Sequence, residues 1–438
     1  MINISDKHNC TGCSACQQRC PKQCIKMFRD NEGFLYPVID STSCINCGLC
    51  DAICPVINKG QERNPLECYA AINNDEDIRY KSSSGGIFHL LAKKTIEEGG
   101  VVFGASFDEQ WHLRHTYVET IDDLQEFVGS KYLQSDVKDT YREAENFLKL
   151  GRKVLYSGTP CQIAGLQHYL HKEYKNLVCV EVICHGVPSP AVYRWYMHDA
   201  LFSRLLLKKK NKRKKVCDEE HLTLPSTDQC ELKHISFRNK RKGWITYAFT
   251  YIYELYSGTT KGKYIVESQI FRNNPFMQGF LKNIYLRPSC YQCQAKHLRS
   301  GADITIGDYW GVNHIHPEIF DDKGTSAVLI NTERGRELFS NVQATTLTTT
   351  FENILKSNSC LISSVTEPIA RKRFFQKKWY TFEEAVNYSL NPPLPLSTKI
   401  KFTIKRLLGQ KRIDKIKIIK NQLYNNSCAS HTLTQQNV

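Results

Sequence analysis

Two stretches carry the same four thiols at one spacing: "CTGCSACQQRCP", from Cys10 to Pro21, and "CINCGLCDAICP", from Cys44 to Pro55. Three thiolates at i, i+3 and i+6 on a tight loop can wrap three corners of a 4Fe-4S cubane, while the fourth, ahead of proline, turns toward a second cluster. Crossed ligation follows, with Cys10, Cys13, Cys16 and Cys54 on one cluster and Cys44, Cys47, Cys50 and Cys20 on the other. Zinc prefers four tetrahedral ligands as two separated pairs, and this pattern would leave a surplus in each half. Cys24 is left over and reads as a small buried hydrophobe. The spacing predicts a small α+β ferredoxin-like two-cluster domain over residues 1–60. Gly12 and Gly48 suit its close turns, Pro21 and Pro55 are expected to start short helices, and a hairpin should turn at Asn31 to Gly33.

A second group of thiols comes from three separate segments: Cys161, Cys184 and the Cys-x2-Cys pair Cys290 and Cys293. To meet, they need a scaffold. "KVLYSG" reads as a strand ending at Gly158, and "TPCQIAGLQHYLHK" as a helix that Thr159 and Gln162 can close with a capping box and that Pro160 can open. "NLVCVEVIC" is the next strand, ending at Cys184. Strand, helix, strand is a parallel unit, so Cys161 falls in the first turn of a helix, where the dipole favours a thiolate, and Cys184 at a strand's carboxyl end. Four such thiols could complete a third cubane. The same residues also fit buried apolar packing, a nucleophile at Cys161 or Cys184, or zinc at the late pair. "SSSGGIFHLLAKKTIEEGG", Ser82 to Gly100, and "VKDTYREAENFLKLG" add amphipathic helices, so the body is expected to be α/β with a parallel or mixed sheet.

Composition narrows the setting. With 438 residues and 41% hydrophobic content the chain can bury several cores, and its 19 cysteines follow no disulfide scaffold. "MINISDKHNC" has no basic stretch leading into an apolar run, and no segment reaches the length of a membrane span, so a reducing cytoplasm is the expected location. The formal charge of +15 overstates the basicity, since each bound four-thiolate cubane would lower it by about 2. Much of the surplus sits in "KKKNKRKK", Lys208 to Lys215, which reads as a solvated loop; no stacking motif accompanies it, so nucleic acid is not an expected partner. The tail past Asn391 places Ile400, Ile404, Leu407 and Leu408 on one helical face among lysines. It fits peripheral contact with an anionic membrane, a partner helix, or a loosely packed end.

Seven ordered motifs, "KSSSGGIF", "GSKYLQSD", "LYSGTPCQIAGL", "VICHGVPSP", "SFRNKRKGW", "LRPSCYQCQAK" and "DITIGDYWG", resemble the family of coenzyme F420 hydrogenase/dehydrogenase beta subunits, from about Cys68 to about Phe339. The resemblance implies an iron–sulfur flavoprotein oxidoreductase, with FAD beside a cubane held by Cys161, Cys184, Cys290 and Cys293. It places Ser83, Ser84, Gly85, Gly86, Lys131, Tyr132, Gly158, Thr159 and Asp308 at the flavin, and offers His185 as a proton donor to an organic substrate or deazaflavin coenzyme. A redox partner, a ferredoxin or another oxidoreductase subunit, would exchange electrons with it; a non-catalytic electron-transfer subunit is the alternative. The expected domains are 1–60, 66–150, 151–340 with a basic insertion at 204–230, a helical extension at 341–392 and the basic tail 393–438.

Overall fold

Left-handed residues decide where the first helices begin. Ser14 (φ 61°) and Gly48 (φ 75°) immediately precede α1 (Ala15–Arg19) and α2 (Leu49–Ala52). A left-handed residue cannot continue a right-handed turn, so each helix starts inside its cysteine triplet. Each also ends before its proline, because proline forces the preceding residue out of the helical region; Cys20 is extended, at ψ 115°. The expectation that Pro21 and Pro55 start the helices is thereby overturned. Strands β1 (Ile25–Arg29) and β2 (Leu35–Ile39) pair antiparallel between the two halves.

The computed structural model describes residues 2–205, 226–227, 230–257 and 260–393. The run Lys208–Lys215, most of the insertion 204–230 and the tail from 394 onward lie outside the described residues. The chain divides into two units, Met1–Val386 and Asn387–Val438, and the elements that position the site belong to the first.

The body of that unit is an eight-stranded mixed sheet. Its first members are β3 (Glu67–Asn73), β4 (Val101–Phe107), β5 (Leu113–Val118), β6 (Val154–Gly158) and β7 (Leu177–Val182). Helices α3 (Glu76–Lys81) and α4 (Ile87–Glu97) follow β3, α5 (Thr140–Lys149) precedes β6, and α6 (Pro160–Leu170) joins β6 to β7. After α7 (Pro190–Leu205), strands β8 (Ser226–Thr227), β9 (Cys230–Asn239), β10 (Ala248–Ser257) and β11 (Thr260–Ile270) make a separate antiparallel sheet. Helix α8 (Pro275–Leu281) leads back to β12 (Ile304–Asp308), β13 (Ser326–Ile330) and β14 (Ala344–Thr349). The order is β14-β3-β13-β12-β7-β6-β4-β5. The central strands β4, β6, β7 and β12 run parallel, and the flanking strands pair antiparallel. Segment 341–392, expected to be helical, opens with β14, which completes the sheet beside β3; its Thr-rich "ATTLTT" favours extended backbone.

Alternate residues of the central strands enter two cores, so the sheet is covered on both faces. Phe103, Tyr156 and Cys179 face α5 and α6, whereas Val102, Leu155 and Val178 face α4. The N-terminal module joins the first of these cores through Cys13, Ala15 and Ile53. Gln18 Oε1 accepts from the amides of Tyr141 (3.1 Å) and Arg142 (3.3 Å) at the start of α5. Arg287, 1% exposed, donates to Cys10 O and Leu35 O, each at 2.8 Å. These contacts fix the module's orientation on the body.

Candidate functional site

Two hollows in the N-terminal module sort its thiols. Cys10, Cys13, Cys16 and Cys54 line one; Cys20, Cys44, Cys47 and Cys50 line the other, with Cys24 at its edge. Each hollow takes three thiols from one motif and its fourth from the other. Burial pushes the Cys13 thiol up to about 12 and raises Cys16 as well, as expected of sulfur kept from water without a metal.

Cys161 stands in the first turn of α6, Cys184 just past β7, Cys290 in the turn Pro288–Gln292 and Cys293 directly after it. Burial raises the Cys161 thiol, and the nearby Cys293 and Cys184 raise it further. Burial likewise pushes Cys290 up to about 12, with Cys293 and Cys161 adding to it. The four thiols therefore converge. The helix dipole does not win at Cys161 as the sequence suggested, because removing a full charge from water outweighs a partial charge at a helix end. Thr159 Oγ1 lies 3.2 Å from Cys161 Sγ, and the Val187 amide donates to Cys290 Sγ at 3.4 Å.

The set also touches the N-terminal module. Gly165, one turn beyond Cys161 on α6, packs on Cys13: a Cβ there would lie 2.8 Å from Cys13 Cβ and 3.1 Å from its Sγ. Only a glycine lets the two thiol-bearing segments approach this closely.

On the other side Cys184 borders a cavity of about 490 Å³ at the carboxyl ends of β6, β7 and β12, where ligands collect in open α/β sheets. Ser83, Ser84, Gly86, Lys131, Tyr132, Gly158, Thr159, Asp308 and His185 all line it. Gly85 is not among its lining residues; a Cβ there would collide with Ala71 O and sit 2.8 Å from Ser326 N, so its smallness serves packing against β13. Lys131 Nζ donates to Val128 O and Gly129 O (3.3 and 3.2 Å), and burial lowers its pKa to about 8. His185 Nε2 lies 2.6 Å from Asn283 Oδ1, an acceptor, so Nε2 carries the proton and Nδ1 is bare while the ring is neutral. Burial lowers its pKa.

Asp308 faces the cavity as half of an ion pair. Arg238 Nη1 donates to Asp308 Oδ2 at 2.6 Å and to Tyr132 Oη at 3.1 Å, and Trp244 Nε1 donates to Asp308 Oδ1 at 2.8 Å. Tyr132 in turn stacks on Phe280, ring centres 4.7 Å apart.

Residues 151–353 match the carboxyl-terminal part of the coenzyme F420 hydrogenase/dehydrogenase beta subunit, and residues 68–140 match its amino-terminal part. The chain belongs to this family of beta subunits. Residues 9–58 match the 4Fe-4S dicluster domain. A component of the F(420)H(2) dehydrogenase of Methanosarcina mazei is 26% identical over 195 residues, which cover 41% of this chain and 55% of that protein; the match spans about half of that relative. A chain of the F420-reducing [NiFe] hydrogenase complex from Methanosarcina barkeri, solved as a xenon derivative, aligns at 18% identity with a TM-score of 0.39, over 68% of this chain and 88% of that one. Among the described residues of this member of the beta-subunit group no helix is long and apolar enough to cross a membrane.

Sequence reasoning missed three cavity residues, Arg238, His115 and Cys360, and Lys240, which stands behind the cavity wall. Arg238 is buried and lies over Tyr247 at 4.0 Å; it belongs to the motif "SFRNKRKGW", from which the sequence singles out no site residue. Lys240, two residues on, donates to Ser84 O and Lys323 O (2.7 Å each) and to Arg79 O (2.8 Å), and so holds the serine loop from behind. His115 lies between Ser157 O and Ser135 Oγ, 3.0 Å from each. Cys360 lines the cavity near Cys184. In β5 the alternation of Leu113, Arg114 and His115 signalled that His115 points inward, whereas in β9 Phe237 and Arg238 are adjacent and both buried at a register shift, so no alternation marked Arg238.

Proposed function

We propose that this chain is an iron–sulfur flavoprotein subunit that carries electrons between a redox partner and an organic or deazaflavin-type substrate. The carrying observation is the unbroken succession of thiols: the Cys10–Cys54 hollow meets α6 at Gly165, Cys161 follows one turn away, and Cys184 of the same set borders the large cavity. A single metal ion needs its donors closed on one centre, whereas a cubane, with iron at four alternate corners and sulfide at the other four, needs its thiolates spread around a hollow. Cubane clusters exchange single electrons and a flavin takes or releases two, which is the chemistry these groups supply when bound.

The chain's own residues would do the rest. The twelve thiols, Cys10, Cys13, Cys16, Cys20, Cys44, Cys47, Cys50, Cys54, Cys161, Cys184, Cys290 and Cys293, would hold three 4Fe-4S clusters, with Cys13 and Cys16 buried and Cys47 exposed. Ser83, Ser84 and Gly86, at the start of α4, offer a polar rim for phosphate, while Tyr132 and Phe280 offer ring faces to a flavin, read here as FAD. Asp308 is better suited to fixing Arg238 than to touching the ligand directly. His185, with Nδ1 bare, can accept a proton there and return it. The relative from Methanosarcina mazei is named as one subunit of a dehydrogenase, which favours work beside partner chains, one of which would share the substrate site; the cytoplasm is the setting proposed from the cysteine usage.

Anaerobic purification with iron, sulfide and flavin counted per chain tests this reading. About twelve irons and one flavin are expected, from three cubanes of four irons each. About eight irons would remove the third cluster, and a preparation that holds no flavin after reconstitution would remove the cavity assignment.

A further inference from the structure

Arg287 is buried, and its guanidinium reaches from the segment after α8 into the N-terminal module. Nε donates to Cys10 O at 2.8 Å, Nη1 to Gln134 Oε1 at 2.9 Å and Nη2 to Leu35 O at 2.8 Å. Nη2 also donates to Cys10 Sγ at 3.6 Å. This approach needs Gly12, which is left-handed (φ 69°); a Cβ on it would lie 2.6 Å from Nη1. Tyr36 and Phe34 turn their ring faces to the cation, with centres 4.3 and 5.5 Å away. Among the described residues no carboxylate pairs with Arg287; Asp30 and Glu32, at the turn between β1 and β2, pair instead with Lys7 and Arg371. Its oxygen acceptors are thus all neutral, and a buried charge without a counter-charge is costly. A cubane held by four thiolates, at about −2, supplies one beside Cys10.

Adding one electron to such a cubane adds one negative charge, so a fixed cation and an N–H···S contact stabilise the reduced form more than the oxidised one and raise the potential. Among the described residues Arg287 bonds to Cys10 and to none of Cys20, Cys44, Cys47 and Cys50. We propose that Arg287 is a positioning residue that raises the reduction potential of the cluster at Cys10, Cys13, Cys16 and Cys54 and leaves that of the other N-terminal cluster alone. This role rests on the proposed ligation of the first cluster by those four thiols. Because Arg287 belongs to the body, the potential is set only while the module is docked. Burial raises the Cys290 thiol and Arg287 opposes the rise, so the same charge reaches the third thiol set. An electron entering near the exposed Cys47 is thereby drawn toward the body.

The test is a dithionite titration of the anaerobically purified full chain, with the two N-terminal cluster signals followed by electron paramagnetic resonance. Arg287→Gln keeps a donor and loses the charge. The midpoint of one N-terminal cluster should become more negative, the reduced-to-oxidised ratio at fixed potential falling about tenfold, or about 59 mV for a one-electron couple, while the other keeps its wild-type value. Arg287→Lys retains the charge and should recover most of that shift. Arg371→Gln removes a docking contact that touches no thiol, its pair with Glu32, and should leave both midpoints unchanged. Unchanged midpoints in Arg287→Gln, an equal shift of both clusters, or the same shift in Arg371→Gln overturns the inference while the clusters stand. Loss of about four irons from Arg287→Gln overturns it as well, leaving the residue a strut. Fewer than about eight irons per chain in the wild type would instead remove the cluster reading, and this role with it.

Discussion

The Arg238 side chain is 2% exposed and its counter-charge, Asp308, is 15% exposed. Removing one partner of such a pair strands the other, so Asp308→Asn should lower unfolding stability by about 3–5 kcal/mol, whereas Arg238→Met with Asp308→Leu should cost less than the single change. Guanidinium melts of the three proteins measure the difference; equal losses would mean that the pair is not what holds this wall. Cys161→Ser should lower the iron content by about four per chain while leaving the N-terminal module loaded, and unchanged iron would exclude Cys161 as a ligand. A pH effect belongs at this scale too. Burial raises Glu181 from 4.5 to about 7 in the folded chain, so from pH 4.5 to 7 only the unfolded state gives up this proton and stability falls as pH rises. His115, lowered by burial from 6.5 to about 4, acts oppositely, since the unfolded state binds the extra proton and stability falls as pH drops from 6.5 to 4. Glu181→Gln should therefore leave a profile that rises more steeply with pH between about 5 and 6.5, read from denaturant midpoints. The cysteine spacing was readable from sequence because metal ligation fixes it locally. The burial of Arg238, Glu181 and His115 was not, because it depends on which strands become neighbours.

At the scale of elements, α6 does two things at once. Its first turn carries Cys161, and Gly165 forms the flat place on which Cys13 rests. The capping pattern made the helix and its start legible, and Gln162 Oε1 does accept the Thr159 amide at 3.0 Å. Gly165 gave no such signal, since a glycine in a helix reads as a mild defect of about 1 kcal/mol, and nothing local says that another segment will lie against it. Gly165→Val should reverse the ordinary gain from replacing a helical glycine. The added carbons would meet Cys13 and the Tyr141 hydroxyl, both 2.8 Å from an ideal Cβ, for a net loss of about 1–3 kcal/mol by overpacking. The electron paramagnetic resonance signal of the reduced N-terminal clusters should change with it. A variant with wild-type stability and spectrum would show that α6 and the module are not tightly matched. The same logic explains β14: a Thr-rich hexamer carries little hydrophobic pattern, and only the open edge of β3 selects it as a strand.

Across the whole molecule, the sequence suggested a ferredoxin-like domain at 1–60 followed, from residue 66, by the body. The stretch between them is held. Arg63 donates its amide to His297 O at 3.1 Å, and the guanidinium of Arg299 pairs with Glu62, so the linker lies along the body. Gln18, Arg287 and the ion pair between Arg371 and Glu32 hold the module on its other sides. Such long-range partners are invisible in a local pattern, because each is an ordinary polar residue until the fold brings its counterpart. Gln61, Glu62, Arg63 and Asn64 are nonetheless exposed, so trypsin should cleave after Arg63 in the native protein. The attachment predicts that the two fragments will co-elute in gel filtration with their iron retained and separate only in denaturant, since the buried Arg287 and the shared core at Cys13, Ala15 and Ile53 do not depend on the peptide bond. Fragments that part spontaneously after nicking would show that the module is tethered rather than docked, and the succession of thiols from Cys13 to Cys161 would then lack the fixed geometry that electron transfer through it requires.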